Sequence, residues 1–377
     1  MKFTVNHQDS RTSARTGVLD TQHGSIKTPV FMPIGTQGAV KSLSPEEVTS
    51  LGSNLILGNT YHLYLRPGHK IIERAGGLHT FMNWPGALLT DSGGYQVYSL
   101  SRMNKISDEG VEFQSHLDGS SHHFTPEFSM EIQRSLGSDI IMAFDECPIG
   151  NADYKTVQKA VNRTTDWAIR CNDYLSKYGP IHDWDQTLFP IVQGSVFEDL
   201  RFKSAEALVP LSTCGIAVGG LAVGEEKSAM FEMIEFLDST LPKKQPRYLM
   251  GVGRPTDLVR SVRAGMDMFD CVLPTRNARN GQVFTSNGVL NLKNETFKTD
   301  LDPVDASCSC PLCAQYSRSY IRHLLNVNEI FGLRLASLHN LKYYLSLMDT
   351  MRAEIERDNF KVWSDDFLKM MSEFKGM

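Results

Sequence analysis

Short, near-continuous apolar runs recur eight times along the chain, at 30–34, 54–57, 87–90, 140–144, 189–192, 216–218, 248–252 and 266–269. A run of this length without polar alternation is what a strand buried on both faces requires. Between most of the runs lie amphipathic stretches that open on helix-start signals. Ser44-Pro45-Glu46-Glu47 precedes Val48 and Leu51, and Thr125-Pro126-Glu127 precedes Met130, Ile132 and Leu136. A hydroxyl residue caps free N–H groups there, and proline fits the first helical position. Strands alternating with helices in this way predict an α/β chain organised as a (β/α)₈ TIM barrel with insertions. A doubly wound sheet is the competitor, but it usually has fewer strands, and no dinucleotide glycine fingerprint is present.

Two stretches depart from the repeat. Residues 96–124 are long, polar and rich in Ser, Gly and His, which reads as an insertion over the site. After the last apolar run, residues 281–292 form two alternating segments around Asn287-Gly288, the pattern of a hairpin. The expected division is a catalytic barrel with an N-terminal extension over 1–280, a hairpin and metal-binding subdomain over 281–345, and a helical segment over 346–377 that packs on the barrel.

Several apolar runs stop on a carboxylate or amide followed by small residues. Thr90 leads to Asp91-Ser92-Gly93-Gly94-Tyr95, Phe144 to Asp145, Val192 to Gln193-Gly194, and Phe269 to Asp270. An acid at the end of a buried strand is costly to desolvate and adds little to packing, so these endings point to polar groups converging at one rim. The C-terminal ends of barrel strands are where such sites are built.

Composition narrows the setting. The 377 residues are 41% hydrophobic and 21% charged, ordinary for a globular protein. Neither a signal-peptide-like start nor a run of 18 apolar residues is found, so a cytoplasmic protein with no membrane association is expected. The formal net charge of −5 gives no global attraction to nucleic acid, so RNA binding would need a local basic patch. Seven cysteines, three of them crowded at Cys308, Cys310 and Cys313, do not look like a disulfide framework. With His339, 26 positions beyond Cys313, they would make a closed tetrahedral Cys₃His set, suited to one structural zinc ion. His323 is a rival fourth ligand, and free thiols are the plain alternative. A zinc deaminase is disfavoured because its His-x-Glu element is absent.

The rim residues each carry a functional and a structural reading. Asp91 precedes glycines that let a ligand approach the backbone, or it caps the next helix. Tyr95 stacks on a planar ligand or lines the core. Asp145 and Gln193 offer acceptors and donors to a heterocycle edge, and Gly219-Gly220 offers backbone N–H groups. Asp270 is suited to attack an anomeric carbon while Asp91 shuttles the proton, the pairing used to cleave a glycosidic bond. Asp267 competes for that role, although its earlier position in the run favours burial or capping. Arg254, Arg276 and Arg279 place cations nearby, for phosphate contact or for surface salt bridges. Gly251-Val252-Gly253 reads as a close-approach loop.

Taken together, Gly58-Asn59-Thr60-Tyr61-His62-Leu63, Thr90-Asp91-Ser92-Gly93-Gly94-Tyr95-Gln96, Val192-Gln193-Gly194-Ser195, 218–225, 248–253 and 269–276 resemble the bacterial queuine tRNA-ribosyltransferases, also called tRNA-guanine transglycosylases. The resemblance runs over nearly the whole chain and implies a barrel, a zinc subdomain and a homodimer. It implies replacement of guanine at the wobble position of GUN-anticodon tRNAs (Asp, Asn, His, Tyr) by 7-aminomethyl-7-deazaguanine (preQ1), a step of queuosine biosynthesis. Asp270 would be the nucleophile on the ribose and Asp91 the general acid/base. Asp91, Ser92, Gly93, Gly94, Tyr95, Asp145, Gln193 and Gly220 would form the base pocket, with Tyr95 stacking on the base. Gly251, Val252, Gly253, Arg254, Pro255, Thr256 and Asp257, with Thr275, Arg276, Asn277, Ala278 and Arg279, would hold RNA. Cys308, Cys310, Cys313 and His339 would hold zinc.

Val223 and Cys147 resemble the bacterial form rather than the eukaryotic queuine-using enzymes, and the short stretch after the cysteine region leads to the expectation that the extra RNA-binding domains of the archaeal relatives are lacking. Direct use of queuine is the alternative within the family. A silent tRNA-binding partner subunit is the alternative outside catalysis, against which both Asp270 and Asp91 are retained. A barrel glycosidase acting on free sugars would also satisfy two rim acids, but not the arginine loops or the cysteine set.

Overall fold

The computed structural model describes residues 1–100 and 104–373. The central element is a pair of five-stranded parallel sheets. One runs in the order Thr187–Phe189, Ile140–Met142, Ala87–Thr90, Leu55–Gly58, Ile34–Gly35; the other runs Ile191–Val192, Ile216–Val218, Arg247–Leu249, Met268–Asp270, Val30–Met32. Both ends of the two sheets meet across a proline. Met32 pairs with Asp270 and Ile34 with Leu57, either side of Pro33. Phe189 pairs with Met142 and Ile191 with Ala217, either side of Pro190. Proline has no N–H to give a ladder, which is why each of these two expected strands is split. Their carbonyls still accept, Pro33 from Leu57 N at 3.0 Å and Pro190 from Ala217 N at 2.9 Å.

Side-chain period in these strands is two, and both faces are buried. Met32, Leu55, Leu57, Ala87, Leu89, Ile140, Met142, Ile191, Ala217 and Met268 pack into one cluster. Their neighbours Phe31, Ile56, Leu88, Ile141, Ile216, Val218 and Phe269 pack into a second, which includes the helices. The strands at Ala87–Thr90 and Ile216–Val218 have the bounds that the apolar runs predicted; the others shift by one to three residues at an end or are split.

The helix signals behave as their chemistry dictates. Glu47 N donates to Ser44 Oγ at 3.3 Å and Ser44 N to Glu47 Oε2 at 2.9 Å, a reciprocal capping box on helix Pro45–Ser50. Thr125 Oγ1 caps helix Pro126–Leu136 through Phe128 N at 3.1 Å. The polar segment beyond Tyr95 contains helix Gly94–Leu100 and a three-stranded antiparallel sheet, Asn104–Ile106, Val111–Gln114 and Ser121–Phe124. A further antiparallel sheet, Lys2–Gln8, Arg15–Thr21 and Gly24–Thr28, precedes the first parallel strand. The hairpin is present as Gln282–Thr285 and Gly288–Asn291, with Ser286 and Asn287 as its turn, one residue earlier than Asn287-Gly288.

The long helix Ile330–Glu356 ties the C-terminal region to the parallel sheets. Tyr344 Oη donates to Gly253 O at 2.6 Å, and Asn340 Nδ2 to Pro274 O at 2.9 Å and Gln282 O at 3.0 Å. Among the described residues, no helix is long and apolar enough to cross a membrane.

Candidate active site and metal centre

Four of the polar strand endings come together at the C-terminal ends of the parallel strands. Asp91, directly after Ala87–Thr90, is buried, and its carboxylate accepts from Thr60 N at 2.8 Å, from Gln96 Nε2 at 2.8 Å and from Asn59 Nδ2. It therefore caps helix Thr60–Leu65 from outside rather than the helix that follows it. Burial pushes its pKa up to about 6; these donors pull it down, and the charge of Asp270 adds to the rise. Asp270 and Asp91 are thus close enough to sense each other electrostatically.

Asp270 closes its strand with one oxygen fixed. Oδ1 accepts from Tyr248 Oη at 2.7 Å and from Gly251 N at 2.8 Å. Among the described residues Oδ2 has no hydrogen-bond partner, which leaves it to face a reacting atom. Burial again raises the carboxyl pKa, and the two donors oppose the rise. Asp267 is fully buried and takes Arg15 Nη2 at 2.6 Å, Arg15 Nε at 3.0 Å and Arg247 N at 2.7 Å. That is a structural ion pair, so the competing candidate is removed.

Asp145 and Gln193 are also joined. Gln193 Nε2 donates to Asp145 Oδ2 at 2.8 Å, and Ser92 Oγ to Asp145 Oδ1 at 3.0 Å. Gln193 Oε1 is buried without a partner beside Gly220, where a Cβ would lie 2.2 Å from it. Gly220 has φ +65° and must be small for that approach. Gly94 is likewise constrained, since a Cβ there would sit 2.6 Å from Asp145 O, and Gly93 has φ +82°. Cys147 lies against Gln193 and the Gly220 N–H, its thiol held neutral by burial with the pKa pushed up to about 12. The cavity here, lined by Gly94, Asp145, Cys147 and Trp167 among others, has only about 10 Å³, the space of at most one water. Tyr95, on helix Gly94–Leu100, is 50% exposed, so it does not line the core.

Asp145 rises to about 6, and desolvation is the chief cause. The ordinary carboxyl value is 3.8, so an ionised Asp145 costs the ligand-free fold roughly 3 kcal/mol. The sign follows from proton counts. Between the two values the folded state holds the proton that the unfolded state has lost, so stability declines as pH rises through about 4 to 6 and the full cost is present above 6. Asp145→Asn is therefore expected to raise Tm at pH 7.5 and to lose that gain below pH 4, as thermal melts at both pH values would read.

The sequence reading missed four supporting residues. Tyr248, hidden in an apolar run, orients Asp270. Asn59 and Gln96 orient Asp91. Arg201, fully buried on helix Glu198–Leu208, donates to Val192 O and Gly219 O at 2.8 Å each, to Ser195 O at 2.8 Å and to Gly220 O at 3.2 Å. It thereby fixes the strand ends that carry Gln193 and Gly220.

The two arginine-bearing segments flank this rim. Of residues 251–257, Gly251 and Arg254 are exposed and Thr256 is half-buried, while Val252, Gly253, Pro255 and Asp257 are buried. Asp257 is engaged by Lys227 Nζ at 2.9 Å, so its carboxylate is not turned to a ligand. Of residues 275–279, Arg276 is exposed, Asn277 and Arg279 are half-buried, and Thr275 and Ala278 are buried. Among the described residues Arg254, Arg276 and Arg279 enter no ion pair, and Arg279 Nη1 is buried without a partner. Surface salt bridges therefore do not account for these cations.

The metal set assembles from two segments. Cys308, Cys310 and Cys313 bring Sγ to 3.7, 3.4 and 3.3 Å from His339 Nδ1. Zinc–sulfur and zinc–nitrogen bonds at tetrahedral angles place sulfur about 3.6 Å from nitrogen, close to the distance of each thiol from His339 Nδ1. His339 Nε2 lies 2.7 Å from Phe284 O, the bond that turns Nδ1 toward the thiolates. His339 rather than His323 joins the group.

Comparison with known proteins settles the family. Residues 9–373 match the model of the family described as queuine tRNA-ribosyltransferase. The chain belongs to the queuine tRNA-ribosyltransferase family. Membership makes it an enzyme. It is 53% identical over 369 residues to the queuine tRNA-ribosyltransferase of Caldanaerobacter subterraneus subsp. tengcongensis, covering 98% of this chain and 97% of that one. Against the enzyme of that name from Staphylococcus aureus (strain JH9) the identity is 52% over 359 residues, 95% and 93% of the two chains. Against that of Pelotomaculum thermopropionicum it is 51% over 370 residues, 98% of each.

Proposed function

We propose that this enzyme exchanges guanine at the wobble position of GUN-anticodon tRNAs for 7-aminomethyl-7-deazaguanine, within queuosine biosynthesis and through a ribosyl ester on Asp270. The observation that carries the reading is the half-engaged carboxylate of Asp270: Oδ1 is held by Tyr248 and Gly251, Oδ2 is unengaged, and the residue lies within electrostatic reach of Asp91. A nucleophile needs one oxygen fixed for aim and the other available for attack. Asp270 Oδ2 bonds to the ribose C1′ as the C1′–N bond to guanine breaks, and Asp91 supplies the proton to the leaving base. In the second half Asp91 takes the proton from the incoming base, whose nitrogen displaces the ester. The raised pKa of Asp91 keeps both protonation states within reach near neutral pH.

Asp145 accepts from the purine edge, Gln193 Nε2 and the Gly220 N–H donate to its carbonyl, and Tyr95 stacks on its face. The target base sits in a single-stranded loop, so splaying it out costs only modest unstacking. Arg254, Arg276 and Arg279 take the anticodon phosphates, which reconciles RNA binding with a net charge of −5. The pairing path from Val30 through both sheets and back to Ile34 supports an eight-stranded barrel over 1–280, followed by the metal subdomain over 281–345 and the helical segment over 346–377. Cys308, Cys310, Cys313 and His339 hold one structural zinc, which supplies cross-linking and no reaction step. The active unit is a homodimer in the cytoplasm.

Purified protein given labelled guanine is expected to label a GUN-anticodon tRNA and not the same tRNA with another base at the wobble position. Unlabelled 7-aminomethyl-7-deazaguanine should chase the label out. Labelling indifferent to the wobble base would sink the tRNA assignment, and a chase effected by queuine alone would transfer the incoming base to queuine.

A further inference from the structure

At the opposite end of the parallel strands from Asp91 and Asp270, three segments bring together His23, His79 and Asp139. His23 lies in the two-residue turn between strands Arg15–Thr21 and Gly24–Thr28, His79 on helix Gly77–Met82, and Asp139 immediately before strand Ile140–Met142. Their ligand atoms all lie within 4.8 Å of one another. His23 Nδ1 is 2.8 Å from Asp139 Oδ1, and His79 Nε2 is 3.3 Å from Asp139 Oδ2. Asp139 is 1% exposed and His79 7%.

The hydrogen-bond accounting at His79 leaves a gap. Nε2 is buried and lacks a well-formed hydrogen bond, although it faces a carboxylate oxygen. Nδ1 faces a carbonyl, Trp84 O, at 3.4 Å. A neutral imidazole has one N–H, so one of its nitrogens must present a lone pair to an oxygen lone pair. A cation between Nε2 and Asp139 removes that conflict. The outer contacts are those of a metal site: a ring nitrogen facing a backbone carbonyl, and a ligating carboxylate oxygen that accepts a backbone N–H, here Leu88 N at 2.8 Å.

We propose that His23, His79 and Asp139 bind a divalent transition-metal ion such as zinc, at a site separate from the Cys₃His group and from the reacting carboxylates. Two imidazoles and a carboxylate are a donor set suited to zinc, with a fourth position left for water. The His23 and His79 rings stack at 3.6 Å and 15°, so binding requires one ring to turn until both lone pairs converge. His23 has the room, at a turn and with 21% of its side chain exposed. Trp184 packs edge-on against both rings, at 5.0 and 5.5 Å, and walls the site on one side.

The site adds a polar tie between the N-terminal antiparallel sheet and the start of a central strand, which already share a core cluster through Leu19, Ile26, Ile140 and Met142. Its role is therefore read from binding rather than from turnover. Protein dialysed against micromolar zinc should carry two ions per chain by elemental analysis, and His23→Ala or His79→Ala one. Cobalt at the second site should give weak visible bands without thiolate charge transfer. His23→Ala alters a turn and is expected to fold, which circular dichroism checks. One ion per chain in the wild type, or two retained in both variants, would overturn the proposal. Wild-type protein without a second ion would assign the cation between His79 and Asp139 to a proton instead.

Discussion

Replacing Asp270 with asparagine is expected to lower base exchange by roughly 10⁴-fold or more while the protein folds normally. Asparagine keeps the shape, and its carbonyl oxygen accepts from Tyr248 Oη and Gly251 N as Oδ1 of the acid does. What it loses is the anionic oxygen that would bond to the ribose. Removing a half-buried carboxylate whose pKa is raised by desolvation also relieves a cost, so Tm at neutral pH should hold or rise. Exchange of labelled guanine, measured beside a thermal melt, separates a chemical defect from a folding one. A variant that melts normally and exchanges at the wild-type rate would move the nucleophile elsewhere.

The second large effect concerns the metal centre. Cys310→Ala, or removal of zinc by a strong chelator, is expected to lower Tm by on the order of 10 °C or more and to abolish activity. Cys310 is buried at the start of helix Pro311–Gln315, and its partner His339 lies on helix Ile330–Glu356. That helix also carries Asn340 and Tyr344, whose hydrogen bonds hold Pro274 O and Gly253 O. Gly253 lies two residues from Gly251, the backbone donor to Asp270. Loss of a metal bound there would therefore reach Asp270 through one helix and one loop. Elemental analysis of the variant should show zinc lost, with activity falling in step. Full activity in a zinc-free protein would end this account of the coupling.

How much of this was legible in the sequence depended on the signal each residue leaves. A strand buried on both faces leaves an apolar run, so the parallel strands were readable, and a polar residue ending such a run marks itself, as Asp91, Asp145, Gln193 and Asp270 did. Lys2–Gln8 left no run, because nearly all its side chains face solvent. Tyr248 was hidden for the opposite reason: an aromatic in an apolar run looks like core until its hydroxyl is seen on Asp270. Arg201 has the sequence context of a surface helix residue, and only the fold shows its guanidinium buried among four carbonyls. The cysteine triad announces a metal by spacing, which alone leaves His323 as a rival; the resemblance named His339, and the packing of helix Pro311–Gln315 against helix Ile330–Glu356 brings that residue to the thiols. The resemblance to the transglycosylases supplied the ligand; the strand endings alone supported a site.

The proposed exchange rests on a covalent bond between Asp270 and the wobble ribose. Wild-type protein mixed with GUN-anticodon tRNA in the absence of free base, then denatured and digested with protease and ribonuclease, is the direct measurement. Mass spectrometry should find a ribosylated peptide containing Asp270, labile to hydroxylamine as an ester is, and released when guanine is added before denaturation. An adduct mapped to Asp91 or Asp267, or active enzyme that yields no adduct at any time point, would contradict it.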